Sequence, residues 1–153
     1  MSLSIGSRQI RLIEANIHSD DATVMWLPRE RILLAGDTVE DCVTYVGEPA
    51  DFATHLSDLD RLEALRPAHV LPDHGAEEVI AAGGYPAAIL AATRRYIRWL
   101  MALREKPGLA DAPLAEVIAA DLAAGTLRWF AAYEAIHRQN IERVTALDGQ
   151  GRV

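Results

Sequence analysis

The chain changes character near residue 80, and this change limits the folds open to it more than any other feature. Before that point, short apolar runs containing β-branched residues predict strands. The runs lie at 10–17, 22–27, 32–35 and 69–72. Pro28 ends the second run and opens a polar turn, so residues 22–35 are predicted to form a β-hairpin. Leucines at helical spacing, preceded by Asp51 as a cap, predict a helix over 51–65.

From Pro86 onward the spacing of apolar residues is helical throughout. Pro86 suits the first position of a helix that continues to Pro107. A second helix is predicted over 113–125, and Thr126 is expected to cap a third. The pattern therefore predicts an α/β protein, with a small sheet and flanking helices followed by further helices.

Four short strands make a small sheet for this much helix. If one face packs against the 51–65 helix, the other face must still be covered, which suggests that part of the architecture is missing or comes from another chain. We expect a domain over 1–80, a helical extension over 81–148 packed on it, and a tail over 149–153.

Composition excludes several classes of function. The chain has 153 residues, 15 basic and 22 acidic, and a formal net charge of −7. This balance argues against nucleic acid or an anionic membrane as a partner, because both require clustered Lys and Arg. The single cysteine, Cys42, excludes an intrachain disulfide. No secretory signal or membrane-spanning run is visible, so we expect a cytoplasmic protein.

Three residues that can bind a metal lie at the ends of predicted strands. His18 follows the 10–17 run, Asp37 follows Gly36 at the end of the third strand, and His74 follows the last strand and precedes Gly75. Side chains at strand ends on one rim of a sheet can converge on a single point. Two imidazoles and a carboxylate suit zinc, manganese or iron.

The order of these elements resembles the second half of the metallo-β-lactamase superfamily. The similar region covers roughly residues 10–76: His18 and Ser19-Asp20-Asp21, a hairpin, Gly36-Asp37-Thr38, a leucine-rich helix, and Pro72-Asp73-His74-Gly75. The resemblance implies half of an αββα sandwich, followed here by C-terminal helices. It also implies a centre of two metal ions, zinc or else iron or manganese, with His18 binding one ion and His74 the other. Asp37 would bridge both ions and act in catalysis.

The sequence departs from the superfamily at its defining first motif, His-x-His-x-Asp-His. Only 17 residues precede His18, and none is a histidine. The 69–74 segment matches three ligand positions of that motif but has Leu71 where the second His belongs, and leucine cannot bind a metal. This chain alone therefore lacks some ligands of a complete site. One of the open expectations is that it binds no metal at all.

The remaining candidates have simpler interpretations. His55 is predicted on the solvent side of its helix, and His69 is predicted to be partly buried or to contact a ligand residue. Glu134 and His137 match half of a di-iron motif, but no second copy exists, so helix packing explains them better. Cys42 is expected to be a small buried apolar residue.

The resemblance implies a hydrolase in which a metal-activated water attacks an ester, thioester, lactam or similar bond of a small molecule. Three hypotheses remain open for this chain. It is a truncated part of such an enzyme, or half of an enzyme completed by a homodimer partner or another chain, or a non-catalytic structural or binding half-domain. Fold alone does not choose the substrate.

Overall fold

The apolar runs of the first 72 residues pair into one mixed sheet. The computed structural model describes residues 1–150. Within them the strands are β1 (Ser2–Ile5), β2 (Arg8–Glu14), β3 (Thr23–Leu27), β4 (Ile32–Gly36) and β5 (His69–Pro72). They lie side by side in chain order. Neighbouring strands are antiparallel from β1 to β4, whereas β5 is parallel to β4.

Helices connect the last two strands and make up most of the remaining chain. The α-helices are α1 (Phe52–Ala64), α2 (Glu77–Ala81), α3 (Ala88–Ala102), α4 (Leu114–Val117), α5 (Ala119–Ala123) and α6 (Tyr133–Gln150). Two 3-10 turns, Pro49–Asp51 and Pro107–Asp111, precede α1 and α4. Among the described residues, no helix combines the length and the apolar character needed to cross a bilayer.

The hydrophobic core lies on one face of the sheet. Every second residue of β3 and β4 is buried, as expected for strands that cover a core on one side. The sheet contributes Val24, Trp26, Leu33, Ala35 and Val70 to this core, which also contains apolar residues of α1, α3 and α6. The α/β class and the C-terminal helices that the sequence predicts are confirmed.

The opposite face of the sheet is apolar, and within residues 1–150 no helix packs over its centre. Strand pairing aligns Leu12, Met25, Leu34 and Leu71 in one row across four strands. Met25 is 41% exposed, and the three leucines are half-buried. Leu3 and Ile10 extend the row to β1. We call these six residues the open face.

The first strands differ in number and position from the prediction. Gly6, whose φ of 60° favours glycine, forms a two-residue turn with Ser7 that pairs β1 with β2. The sequence pattern did not reveal β1, and the strand predicted at 10–17 lies at Arg8–Glu14. The 22–35 hairpin and the strand at 69–72 are confirmed.

The C-terminal helices also begin and end at other residues than predicted. The helix predicted over 113–125 breaks at Ile118, whose φ of −104° and ψ of 12° interrupt the helix between α4 and α5. Thr126 does not cap α6, which begins at Tyr133. Asp51 precedes α1 but makes no side-chain capping hydrogen bond. The tail predicted over 149–153 lies outside the described residues, except for the first two, which α6 includes.

Substitution at neighbouring positions of β3 tests which face carries the core. Met25→Lys in the isolated chain should change the free energy of unfolding by less than about 0.5 kcal/mol, because its side chain already meets solvent. Val24→Ala, at a fully buried position, should cost about 1–2 kcal/mol. Urea denaturation measures both. A larger cost for Met25→Lys than for Val24→Ala would contradict this assignment of faces.

Candidate metal-binding site

The three predicted ligand residues follow strands that run in the same direction. β2 and β4 each pair antiparallel with β3, and β5 is parallel to β4. The carboxyl ends of β2, β4 and β5 therefore lie at the same rim of the sheet. His18, Asp37 and His74 follow these ends and line one cavity of about 430 Å³.

The distances within this group show partial convergence. His74 Nε2 lies 3.3 Å from Asp37 Oδ1. This approach does not meet the geometry of a hydrogen bond, and the buried atoms Asp37 Oδ1 and His18 Nδ1 both lack a hydrogen-bond partner. Among the described residues, however, no three His, Cys, Asp or Glu side chains come close enough to hold a metal ion. The rim therefore brings two ligand candidates together and places the third on the same cavity.

The backbone around Asp37 fixes the direction of its side chain. Gly36 has a φ of 56°, a left-handed conformation that turns the chain sharply at the end of β4. The Thr44 hydroxyl donates to the Asp37 carbonyl at 2.8 Å, and the Asp73 N–H donates to the Gly36 carbonyl at 3.1 Å. These bonds connect the Gly-Asp turn to two other segments of the rim.

Hydrogen bonds fix the backbone at and just before His18. The Asn16 N–H donates to the Asp58 carboxylate of α1 at 2.8 Å, and the Gly47 N–H donates to the His18 carbonyl at 3.0 Å. A Cβ at position 47 would lie only 2.6 Å from that carbonyl oxygen, so this close approach requires glycine. The Tyr45 ring lies 5.5 Å from the His18 imidazole and completes its surroundings.

The loop that carries His74 rests on Asp41. The Asp41 N–H donates to the His74 carbonyl at 3.4 Å. The Asp41 carboxylate accepts hydrogen bonds from the Ala76 N–H at 3.1 Å and from the Tyr85 hydroxyl at 3.0 Å. Asp41 is buried, and sequence reasoning missed it because an acidic residue in a loop carries no pattern of its own.

A second carboxylate, Glu40, borders the cavity. It is buried and accepts a hydrogen bond from the Tyr133 hydroxyl of α6. Burial raises the pKa of Glu40, and the hydrogen bond from Tyr133 partly counteracts that shift. The pKa of Tyr133 is also raised, by burial first and then by the Glu40 carboxylate. These two residues are 93 positions apart, so no local sequence signal connects them.

The structure revises two histidine predictions. His55, predicted at the surface, is buried on the inner side of α1. Its ring meets the Phe52 ring edge-on at 5.7 Å. Burial lowers its pKa. His69, predicted to be partly buried, is exposed. Cys42 is buried as predicted, and burial raises the pKa of its thiol to about 12. His137 is fully buried and packs α6 against its neighbours.

Comparison with known proteins identifies the architecture. No protein-family model matches the chain, and no curated protein matches it. Solved structures do match. A β-lactamase domain protein from Burkholderia ambifaria is 22% identical, with a TM-score of 0.58. The alignment covers 99% of this chain and 45% of that protein. A metallo-β-lactamase family protein from Thermus thermophilus is 18% identical with a TM-score of 0.57, over 99% of this chain and 48% of that one.

A metallo-β-lactamase from Pontibacter korlensis is 24% identical with a TM-score of 0.51, over 64% of this chain and 45% of that one. The described residues thus have part of the metallo-β-lactamase fold: a mixed sheet with flanking helices. The chain spans less than half the length of these structures.

The rim residues are of types that bind metal ions, but they are too few for a complete centre. Two imidazoles and a carboxylate are suitable zinc or iron ligands, and His18 Nδ1 and Asp37 Oδ1 make no hydrogen bond that would compete with a metal. A catalytic zinc site needs three protein ligands within reach of one ion, and the described residues do not gather three. The described residues alone therefore do not form a complete zinc site.

Proposed function

We propose that this chain forms one side of a metal-dependent hydrolase centre in which His18, Asp37 and His74 bind metal. The observation that carries the proposal is the approach of Asp37 Oδ1 to His74 Nε2, at 3.3 Å, on a cavity that His18 also lines. A charged or polar cluster at the end of parallel strands, inside a cavity, is a common form of active site.

A bound metal would activate water and polarise the scissile bond of an ester, thioester, lactam or related substrate. The chain's own contribution is to hold the ligands rigidly. Thr44 fixes the turn of Asp37, Gly47 fixes the backbone of His18, and Asp41 fixes the His74 loop. Such support keeps a site near its productive geometry before any ligand arrives. Asp37 is the residue we assign to catalysis.

The missing ligands would come from a second layer packed on the open face. That face presents a continuous apolar row across the sheet, including Met25 and Leu34, next to the rim that carries the site. A further segment of polypeptide, a second copy of the chain or a different protein could provide the layer. Light scattering after size-exclusion chromatography distinguishes a monomer from a dimer.

A non-catalytic binding or structural role is the second candidate. It is favoured by the finding that no three ligand-type side chains of the described part of the chain lie within reach of one ion. In that case the rim residues would be ligand positions that no longer bind metal.

Metal content decides between the two candidates. We expect purified chain, loaded with zinc, iron or manganese and then passed over a desalting column, to retain metal that Asp37→Ala loses. Asp111→Ala, an exposed aspartate away from the rim, is the matched control and should retain it. Elemental analysis per chain gives the readout. Equal retention in all three proteins, or none in any, would contradict the proposed centre.

A further inference from the structure

Two cavities meet at the predicted metal-binding rim and share one wall. The first, of about 430 Å³, has His18, Asp37 and Glu40 on its polar side. The second, of about 400 Å³, contains Asp41 and Arg128. His74, Phe130 and Tyr133 line both cavities. Volumes of about 300–1,000 Å³ are typical of sites for small molecules.

Four aromatic side chains line the two cavities. Phe130 and Tyr133 line both, Tyr45 lines the first and Trp129 the second, and we call these four residues the aromatic wall. Trp129 is 47% exposed and Phe130 is 60% exposed. Large aromatic side chains left in contact with water beside a polar centre are suited to binding an apolar group of a ligand.

Backbone and side-chain contacts fix the 127–133 segment, which carries three of these four rings. The Arg128 N–H donates to the Asp41 carbonyl at 2.7 Å, and Leu127 beside it is buried. At the other end, the Tyr133 N–H donates to the Phe130 carbonyl at 3.0 Å, and the rings of these two residues pack edge-on at 6.0 Å. The exposed rings are therefore positioned at the mouth of the cavities by the same Asp41 that supports the His74 loop.

Charges around the wall indicate what kind of group it binds. Arg128 is paired with the Glu78 carboxylate at 2.8 Å, and Glu40 is paired with the Tyr133 hydroxyl. The remaining lining residues near α6, Ala132 and Ile136, are uncharged. Among the described residues, Arg128 is the one Arg or Lys that lines these two cavities, and a carboxylate already neutralises it. Arg143 lies outside the lining, with its guanidinium 4.8 Å over the Tyr45 ring and a hydrogen bond to the Gly47 carbonyl. In a chain whose net charge is −7, this arrangement favours an uncharged ligand group over an anionic one.

We propose that the aromatic wall is a subsite for an uncharged apolar group, aromatic or branched aliphatic, of the ligand that occupies the rim. The identification of this ligand as a hydrolase substrate rests on the proposed function; the subsite itself does not. The wall would hold the apolar group while the reactive bond lies next to Asp37 and His74, so it determines specificity and takes no part in the chemistry.

Binding of a neutral probe pair tests the subsite without metal. In buffer with EDTA, phenylacetamide should cause saturable shifts in the amide resonances of residues 127–136 and in the Trp129 indole resonance. Acetamide at equal concentration should not, because it lacks the apolar ring. Phe130→Ala should weaken phenylacetamide binding at least about threefold, in line with the loss of buried apolar area. Ile5→Ala, which removes a 65% exposed side chain on β1, should leave the affinity unchanged.

Several outcomes would overturn the subsite: shifts that do not saturate, shifts centred on the open face, or equal affinity in Phe130→Ala and the parent protein. Trp129→Ala provides a second variant at an exposed position if Phe130→Ala fails to fold. Saturable binding with no retained metal supports the subsite and contradicts the hydrolase centre. Retained metal without probe binding supports the centre and overturns the subsite.

Discussion

Replacing Asn140 by alanine should lower the free energy of unfolding by about 3 kcal/mol. The Asn140 side chain is fully buried and makes three hydrogen bonds. Its oxygen accepts from the Val46 N–H at 2.9 Å. Its nitrogen donates to the Thr44 carbonyl at 3.0 Å and to the Tyr96 hydroxyl at 3.2 Å. Alanine would leave buried backbone groups of residues 44 and 46 without partners, and each such group costs about 1–3 kcal/mol.

The same substitution should also disturb the site, because Thr44 and Val46 flank Tyr45 in the aromatic wall. Urea denaturation measures the stability, and the phenylacetamide titration measures the site. Gln139→Ala is the matched control, since Gln139 is exposed on the preceding position of α6 and should change stability by less than about 0.5 kcal/mol. If Asn140→Ala behaved like Gln139→Ala, the connection between α6 and the 44–46 segment would not stabilise the fold.

The parts of the fold that the sequence predicted are those with a strong local signal. The hairpin over 22–35 has two apolar runs on either side of Pro28, and α1 has leucines at helical spacing. By contrast, β1 alternates polar and apolar residues over only four positions and is wholly exposed, so its pattern is too short to indicate a strand. The start of α6 was predicted too early because the 127–132 segment is fixed by a contact with Asp41, which is distant in sequence.

In the candidate site too, the residues with a local sequence signal were predicted and those placed by distant contacts were not. His18, Asp37 and His74 were predicted because each lies at the end of a predicted strand, and the structure places all three on one cavity. The residues that support and border them were not predicted. Glu40 and Tyr133 meet across 93 positions, and Asp41 and Tyr85 across 44. Such contacts depend on the packing of α6 and of the loop after β5, which periodicity in a single sequence does not encode.

Lowering the pH from about 7.5 to about 5 should destabilise the protein through two buried histidines. Burial lowers the pKa of both His137 and His55 from the ordinary value of 6.5. In His137 the neutral ring is satisfied on both sides: Nε2 lies 3.1 Å from the Ala112 carbonyl, and Nδ1 lies 3.0 Å from the Tyr96 hydroxyl. The Ala112 carbonyl can only accept a hydrogen bond, so Nε2 is the donor and Nδ1 accepts from Tyr96.

The direction of the effect follows from the pH at which the folded and the unfolded chain each protonate these histidines. The unfolded chain protonates these histidines near pH 6.5, whereas the folded chain keeps them neutral to lower pH. The free energy of unfolding is therefore at its full value above about pH 6.5 and falls below it, by up to about 2 kcal/mol per histidine at pH 5. Glu40 acts in the opposite direction, because its raised pKa makes the folded state take up a proton first.

His137→Gln separates these contributions. Glutamine can still donate and accept a hydrogen bond but does not titrate, so the variant should lose the share of the pH dependence that His137 provides. Subtracting the variant's profile from the parent's cancels the terms from His55 and Glu40. We expect the free energy of unfolding of the parent minus that of the variant to decrease as pH falls from 6.5 to 5, measured by urea denaturation at each pH. His69→Gln, at an exposed imidazole, is the control and should keep the parent profile. A difference that stayed constant with pH would mean that His137 contributes packing and hydrogen bonds but no proton-linked stability.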